Sequence, residues 1–328
     1  MRRPTMRDVA DSANVSLKTV SRVVNGEPGV RQELVGRVET AIDQLGFRRN
    51  EIASSLRRGR AGAVGLVIED LANPFYSAIA HAVEQYAHER GHALLIGSCE
   101  EDPARERALV LRMLRSIDAL LIVPAGDDHR YLMPEQQAGT PMVFIDRPPR
   151  GIDADSVLAD NEGGARRGAA HLIAHGHRRI GFLGESADRY TAAQRRAGYR
   201  AALEDAGIGY DDALVGVSAG DPEGAARALL AGPARPTALF CADNRHTVGA
   251  LRAVRAATEP VALLGFDDFE LAELLPVPVS VVRFDVMALG AAAARLAYGR
   301  VDGERGLPAR AVVPCELVAR GSGELAPA

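Results

Sequence analysis

Two sets of residues in this chain have types and spacings able to do chemistry. The first lies near the N-terminus. At about 100° per residue, a helix starting at Leu17 puts Leu17, Lys18, Ser21, Arg22 and Asn25 on one side and Val20, Val23 and Val24 on the other. The polar side carries two cations and small hydrogen-bonding residues, which suits a helix laid in a DNA major groove. An amphipathic helix packed in a core shares this periodicity, so the pattern alone leaves both readings open. The second set stands just past the apolar runs of the remaining chain: Asp70, Ser98, Asp146, Asp160, Gly184, Asp243 and Asp267. Phe75 and Tyr76 add aromatic faces, and the stretch Tyr190 through Arg195 adds an arginine. Carboxylate acceptors, a guanidinium fork and aromatic rings together suit a small polyol or sugar. Any one of these aspartates also fits a loop or a helix cap; their convergence on one crevice is what points to a ligand.

Other chemistries find less support. Gly216-Val217-Ser218-Ala219-Gly220, followed by Asp243 and His246, matches the order of a hydrolase nucleophile elbow. A loop-like Gly-Asp-Pro follows Ala219 where that elbow needs a helix, and no HGGG-type oxyanion stretch exists. The eight histidines show no metal-binding spacing, and neither a Walker A loop nor GxGxxG after a strand occurs. The expectation is therefore a protein that is not an enzyme and that uses no metal and no cofactor.

These residues need elements to position them. Met6, Val9, Ala10 and Ala13 form one stripe of a first short helix, and Asn14-Val15-Ser16 is a turn with Ser16 placed to cap the second. A third helix over about 31–45, stopped by Gly46, completes a small all-α domain ending near Arg49. Residues 50–60 allow a two-turn helix that is marginal alone and suits folding against DNA; a solvated basic linker fits the composition equally well. From Ala63 the texture alternates. Apolar runs at 63–69, 93–97, 119–123 and 141–145, and after Asp160 at 180–183, 238–241, 261–266 and 279–283, read as strands buried on both faces. Helical stretches at 74–90 and 103–116, then at 162–175, 192–206, 224–230, 244–256 and 286–298, lie between and after them. Alternation over this length predicts two α/β lobes with parallel sheets and right-handed crossovers.

The charge distribution agrees with the division. The chain of 328 residues has a net charge of −4, yet residues 1–60 hold twelve Lys/Arg against seven Asp/Glu. A head of net +5 therefore precedes a body of net −9, an asymmetry that favours a nucleic-acid partner for the head. Lys18 is the only lysine. Cys99, Cys241 and Cys315 are odd in number and far apart, which reads as reduced thiols. No signal-peptide run or long apolar span is present, so a soluble, cytoplasmic protein without a membrane partner is expected.

The chain resembles the LacI-type family of transcriptional regulators from end to end. The resemblance rests on Thr5-Met6-Arg7-Asp8-Val9-Ala10, Val15-Ser16 with Thr19 through Asn25, Asn50 through Leu56, Asn73-Pro74-Phe75, Asp160-Asn161, Arg195 through Tyr199, Gly265-Phe266-Asp267-Asp268 and Leu317 through Ser322. It implies an α/β chain with an all-α helix-turn-helix headpiece over 1–49, a hinge helix over 50–61 and a core over 62–328. That core would be two doubly wound parallel-sheet lobes like a periplasmic sugar-binding protein: an N-lobe over about 62–161 and 286–313, and a C-lobe over about 162–285 and 314–328. Leu17, Lys18 and Arg22 would face bases, and Thr5, Ser16, Thr19, Ser21 and Asn25 would hold phosphates. Ala53 and Leu56 of the hinge would meet DNA, with Leu56 inserted in the minor groove at the centre of a pseudo-palindromic operator. The pocket positions carried over are Phe75, Tyr76, Asp146, Arg195, Asp243 and Asp267, together with Asp160 and Arg189. The resemblance further implies a repressor controlled by a small-molecule effector, a sugar. Two departures stand out: Ala219 replaces a stacking aromatic, and Ala242-Asp243-Asn244 adds a carboxylate where Ala-Asn-Asp is usual. No leucine heptads follow Ser322, so a homodimer is expected.

Wedging apart a base step costs least at flexible pyrimidine–purine steps. Leu56→Ala should therefore weaken specific binding far more than non-specific binding and flatten the preference at the operator centre. Binding to operators randomised at the central step measures this, and an unchanged central preference would leave Leu56 as linker.

Overall fold

The computed structural model describes residues 4–47, 61–218 and 220–327. Contacts within the chain divide it into two units, Met1–Ala61 and Gly62–Ala328. In the first, α1 (Met6–Ala13), α2 (Leu17–Val24) and α3 (Gln32–Leu45) pack around Val9, Ala10, Ala13, Val20, Val38 and Ala41. Thr5 and Asp8 form a capping box on α1, and the Ser16 hydroxyl accepts from Thr19 N at 3.1 Å on α2. Asn14 takes a left-handed conformation between the two, φ +51°, which a short polar side chain tolerates. Arg37 of α3 donates to the carbonyl oxygens of Ala13 at 2.6 Å and Asn14 at 3.0 Å, fixing the turn to the third helix. The expected hinge at 50–60, with Ala53 and Leu56, lies outside the described residues.

The second unit holds two six-stranded sheets. Strands β1 (Ala63–Ile68), β2 (Ala93–Ser98), β3 (Ala119–Ile122), β4 (Met142–Ile145), β5 (Asp155–Ala159) and β11 (Arg310–Val313) form one, in the order β11-β5-β4-β3-β1-β2, all parallel. Strands β6 (Ile180–Gly184), β7 (Val215–Val217), β8 (Ala238–Cys241), β9 (Ala262–Phe266), β10 (Ser280–Arg283) and β12 (Glu316–Val318) form the other, in the order β12-β10-β9-β8-β6-β7. Only β12 runs antiparallel, beside β10. The chain passes between the sheets three times, after β5, after β10 and after β11.

Helices α4 (Pro74–His88), α5 (Pro103–Met113) and α11 (Val286–Val301) cover the first sheet, the short α6 (Met133–Gln137) precedes β4, and α7 (Asn161–Ala174), α8 (Tyr190–Asp205), α9 (Pro222–Ala231) and α10 (Asn244–Arg255) cover the second. Every residue of β1, β3, β4, β6, β8 and β9 is buried, which is why those strands read as near-continuous apolar runs.

Several elements differ from expectation. β2 is an edge strand, with Leu95 and Ile96 exposed, so its apolar run is not the mark of burial on both faces. β5, β7, β11 and β12 are too short or too polar for a periodic signal. β5 carries the buried Asp155, which pairs with Arg300 of α11 at 2.9 Å. α9 starts at Pro222 with Asp221 as cap, so the proline of the Gly-Asp-Pro expected as loop is the first residue of the helix. All three cysteines are buried and unpaired, and no helix among the described residues is long and apolar enough to cross a membrane.

Helices α7 and α8 pack closely at Gly198. A Cβ at Gly198 would lie 2.1 Å from the Glu162 carbonyl oxygen, a contact only glycine avoids. Gly198→Ala should force the pair apart and cost about 1–3 kcal/mol, measurable as a lower denaturant midpoint at unchanged slope. An unchanged midpoint would show that the helices separate freely.

Candidate functional site

The crevice lies where the carboxyl ends of the two sheets face each other, as expected of open parallel sheets. In each lobe a strand ends on an aspartate in a left-handed conformation: Asp146 after β4, φ +68°, and Asp267 after β9, φ +67°. Each amide donates at 2.9 Å to the neighbouring strand, Asp146 to Val157 O and Asp267 to Val282 O. The ladder therefore holds a backbone conformation that costs energy for a non-glycine residue and aims both carboxyls into the crevice.

Arg195, in the second turn of α8, is 4% exposed and fully engaged. Its Nε donates to Asn161 Oδ1 at 2.7 Å, and Nη1 donates to Ala242 O at 2.6 Å and Asp267 Oδ2 at 2.8 Å. Its guanidinium lies 3.8 Å over the Phe266 ring. Burial pushes the Asp267 carboxyl up to about 6, against the pull of Arg195. Asp243 caps α10 and also bonds His246 Nδ1 at 2.6 Å; burial raises its carboxyl, but the bonds and charge of His246 carry it below the ordinary value.

On the facing wall, Asn73 caps α4 and sets Phe75 edge-on to Tyr76, ring centroids 5.1 Å apart. The Tyr76 hydroxyl donates to Glu69, which is 2% exposed and also accepts from Arg147 Nη2 at 3.0 Å.

Ion pairs close the crevice from lobe to lobe. Arg189 donates at 2.7 Å to both Glu69 and Glu101, and Arg245 donates to Asp70 at 2.6 Å and Glu101 at 3.2 Å. Asn244 Nδ2 donates to Asn73 Oδ1 at 3.1 Å. The cavity left between the walls is about 60 Å³, room for a few waters but not for a sugar ring. Any larger ligand must part the lobes and break these bridges.

In the N-terminal unit, α2 buries Val20 and leaves Leu17, Lys18 and Asn25 exposed, with Ser21 and Arg22 half-buried. Lys18 has no partner among the described residues. Arg22 donates to Pro28 O at 2.6 Å and lies 3.4 Å from Glu27, contacts it must release to reach a base.

Comparison with known proteins supplies the identity. Residues 5–50 match the family described as bacterial regulatory proteins, lacI family, and residues 169–323 match the periplasmic binding protein-like domain. The chain is 32% identical to the HTH-type transcriptional regulator GalR of Escherichia coli K12, over 93% of this chain and 91% of that protein. The chain belongs to the LacI family. Solved relatives agree: the transcriptional regulator CelR–cellobiose complex has a TM-score of 0.72 at 32% identity, covering 98% of this chain and all of that one. The lac repressor dimer bound to operator and the anti-inducer ONPF has a TM-score of 0.86 at 25% identity, over 98% and 99%. As a LacI-family member the protein is a DNA-binding transcriptional regulator with a periplasmic-binding-protein-like core.

Six of the eight crevice residues expected from sequence line this cavity: Phe75, Tyr76, Asp146, Arg195, Asp243 and Asp267. Two do not. Asp160 caps α7, accepting from Gly163 N at 3.1 Å and Arg167 at 3.0 Å, because the chain turns there into the other lobe and the carboxyl folds back on the helix start. Arg189 reaches Glu69, Glu101 and Glu185 of the cavity wall from outside it and faces an adjoining cleft of about 230 Å³. Conversely, Glu69, Glu101, Arg147, Glu185 and Arg245 line the cavity and were missed. Taking one residue per strand end hides Arg147 behind Asp146 and assigns Glu69 to the strand itself. Ser218, His246 and Asp243 do meet, but not as a nucleophile site: His246 Nε2 contacts the Ser218 carbonyl at 2.9 Å, and the Ser218 hydroxyl accepts from Asp221 N.

Arg195 thus holds the C-lobe together as well as facing the ligand space. Arg195→Ala would strand Asp267 as an unpaired buried carboxylate, so the core should lose about 3–5 kcal/mol of stability. Arg195→Lys should lose less, since a point charge keeps the ion pair but not the bonds to Asn161 and Ala242. Denaturation of both variants measures this; wild-type stability in Arg195→Ala would refute the bracing role.

Proposed function

We propose that the protein is a dimeric, cytoplasmic repressor whose operator affinity is controlled by a sugar or sugar derivative bound in the crevice between its lobes, and that it carries no catalytic activity. The carrying observation is the crevice itself: strand-end carboxylates, an arginine and aromatic faces converge from both walls in one cavity. Sugar-regulated relatives support the same reading, since the name of the ribose operon repressor and the cellobiose in the CelR complex both point to carbohydrate.

In this reading residues 1–49 form the DNA-binding headpiece, 50–61 the hinge and 62–328 the effector core. Leu17, Lys18 and Arg22 read bases, while Thr5, Ser16, Thr19, Ser21 and Asn25 hold phosphates. Ala53 and Leu56 engage the operator centre. Ligand entry breaks the Arg189 and Arg245 bridges and changes the angle between the lobes. A coupling of about 1–3 kcal/mol is enough to switch operator occupancy.

A gel shift with an operator selected from random duplexes tests the reading. Deleting residues 1–60 should abolish the shift, and turnover of a sugar by the purified protein would refute the non-catalytic assignment. Lys18 and Arg22 sit at i, i+4 on one face, and both can donate to guanine. Arg22→Ala should cost about 1–3 kcal/mol on the selected operator and much less on random DNA. Equal losses on both would reduce Arg22 to a phosphate contact.

A further inference from the structure

We propose that the effector carries a protonated amine among its hydroxyls, an amino sugar or aminated polyol, and that the amine sits against Asp146. The inference rests on the effector reading above and narrows its ligand class.

The cavity is lined by six carboxylates, Glu69, Glu101, Asp146, Glu185, Asp243 and Asp267, and by three guanidiniums, Arg147, Arg195 and Arg245. Four of the acids accept a hydrogen bond from a basic side chain. Asp267 has Arg195, Asp243 has His246, Glu69 has Arg147, and Glu101 has Arg245. Two do not. Glu185 has only a 3.2 Å contact with Arg189, which also serves Glu69 and Glu101. Asp146 is 3% exposed, its Oδ1 has no hydrogen-bond partner, and its Oδ2 is 3.6 Å from Arg147 Nε, beyond a hydrogen bond.

A buried carboxylate oxygen without a donor is costly, and native proteins rarely leave one unless something else completes it. A ligand hydroxyl would supply the missing hydrogen bond but no charge, leaving Asp146 to share Arg147 with Glu69. An ammonium supplies a donor and a charge of its own, with three donors to share among neighbouring acceptors. Burial holds the Asp146 and Glu185 carboxyls above their ordinary range, against the pull of Arg147 and Arg195 on the first and of Arg189 on the second.

Opening of the crevice sharpens the need. Arg189 and Arg245 leave with the C-lobe, so the N-lobe wall keeps Glu69, Asp70, Glu101 and Asp146 with Arg147 as their near cation. The amine belongs on that wall, beside the rings of Phe75 and Tyr76, whose faces also favour a cation.

Calorimetry on the full chain tests this with D-glucosamine, D-galactosamine and D-mannosamine, each against its neutral parent sugar and its N-acetyl form. At least one amine should bind about tenfold or more tightly than its parent, and N-acetylation should remove the advantage. Asp146→Asn should shrink that ratio, with circular dichroism to confirm folding; if it fails to fold, Glu185→Gln should shrink the ratio in its place. A parent sugar binding as tightly as its amine, or a ratio untouched in the folded variant, overturns the amine and leaves the sugar-effector reading standing. Binding by none of these sugars overturns the amino-hexose effector and leaves the sugar-effector reading to sugars of other size, such as pentoses and disaccharides.

Discussion

The C-lobe depends on one buried guanidinium. Arg195 reaches from α8 to the start of α7, the end of β8 and the end of β9, so a single side chain fixes the relative heights of four elements at the mouth of the crevice. A buried arginine is tolerable only when its donors are satisfied and its charge is paired, and the fork geometry of guanidinium meets both demands at once. Asp267, held in a left-handed conformation by the hydrogen bond its amide donates to Val282 O, is the paired charge. The wall that a ligand meets is therefore also the brace of the lobe, and binding chemistry there cannot be altered without altering stability.

The opposite wall is built on Glu69 in a related way but for a different end. Tyr76, Arg147 and Arg189 all converge on this buried carboxylate, and Arg189 comes from the other lobe. With Arg245 on Asp70 and Glu101, the two lobes are latched by charge across the crevice, beside the apolar contact of Phe75 with Phe284. The Arg245 pairs, partly exposed on both sides, are individually worth little, which suits a contact that must open to admit a ligand. The three strand-to-helix or strand-to-strand crossings between the sheets keep the lobes tethered while the latch opens. Gly62, where the core begins, donates its amide to Asp118 at 2.7 Å, so the entry of the chain is tied to the sheet that carries Glu69.

The headpiece obeys a simpler rule. Valines and alanines on the inner faces of three short helices make its core, and the side of α2 that has nothing to bury keeps Leu17, Lys18 and Asn25 in solvent. Its capping residues, Thr5 and Ser16, are spent on helix ends, which positions their amides and hydroxyls at the surface of the first turns.

Much of this was legible in the residues themselves. Period and punctuation suffice for the three headpiece helices, because each buries one stripe and ends at a cap or glycine that local chemistry explains. Central strands such as β1, β3 and β8 read plainly, since burial on both faces admits little but apolar side chains. The strand-end aspartates follow from the geometry of parallel sheets, and Asp146, Asp243 and Asp267 are where that rule puts them. What the sequence could not carry were relations between distant residues. β5, β11 and β12 exist because partners far along the chain pair with them, so no local signal marks them. Asp160 and Asp146 look alike in sequence, yet one folds back to cap α7 and the other points at a ligand, since only the first stands at a crossing into the other lobe. The pairing of Arg189 with Glu69 and Glu101, and of Arg195 with Asp267, was decided by the tertiary structure alone. Charge chooses its partners by distance in space, and these partners lie many residues apart in the chain.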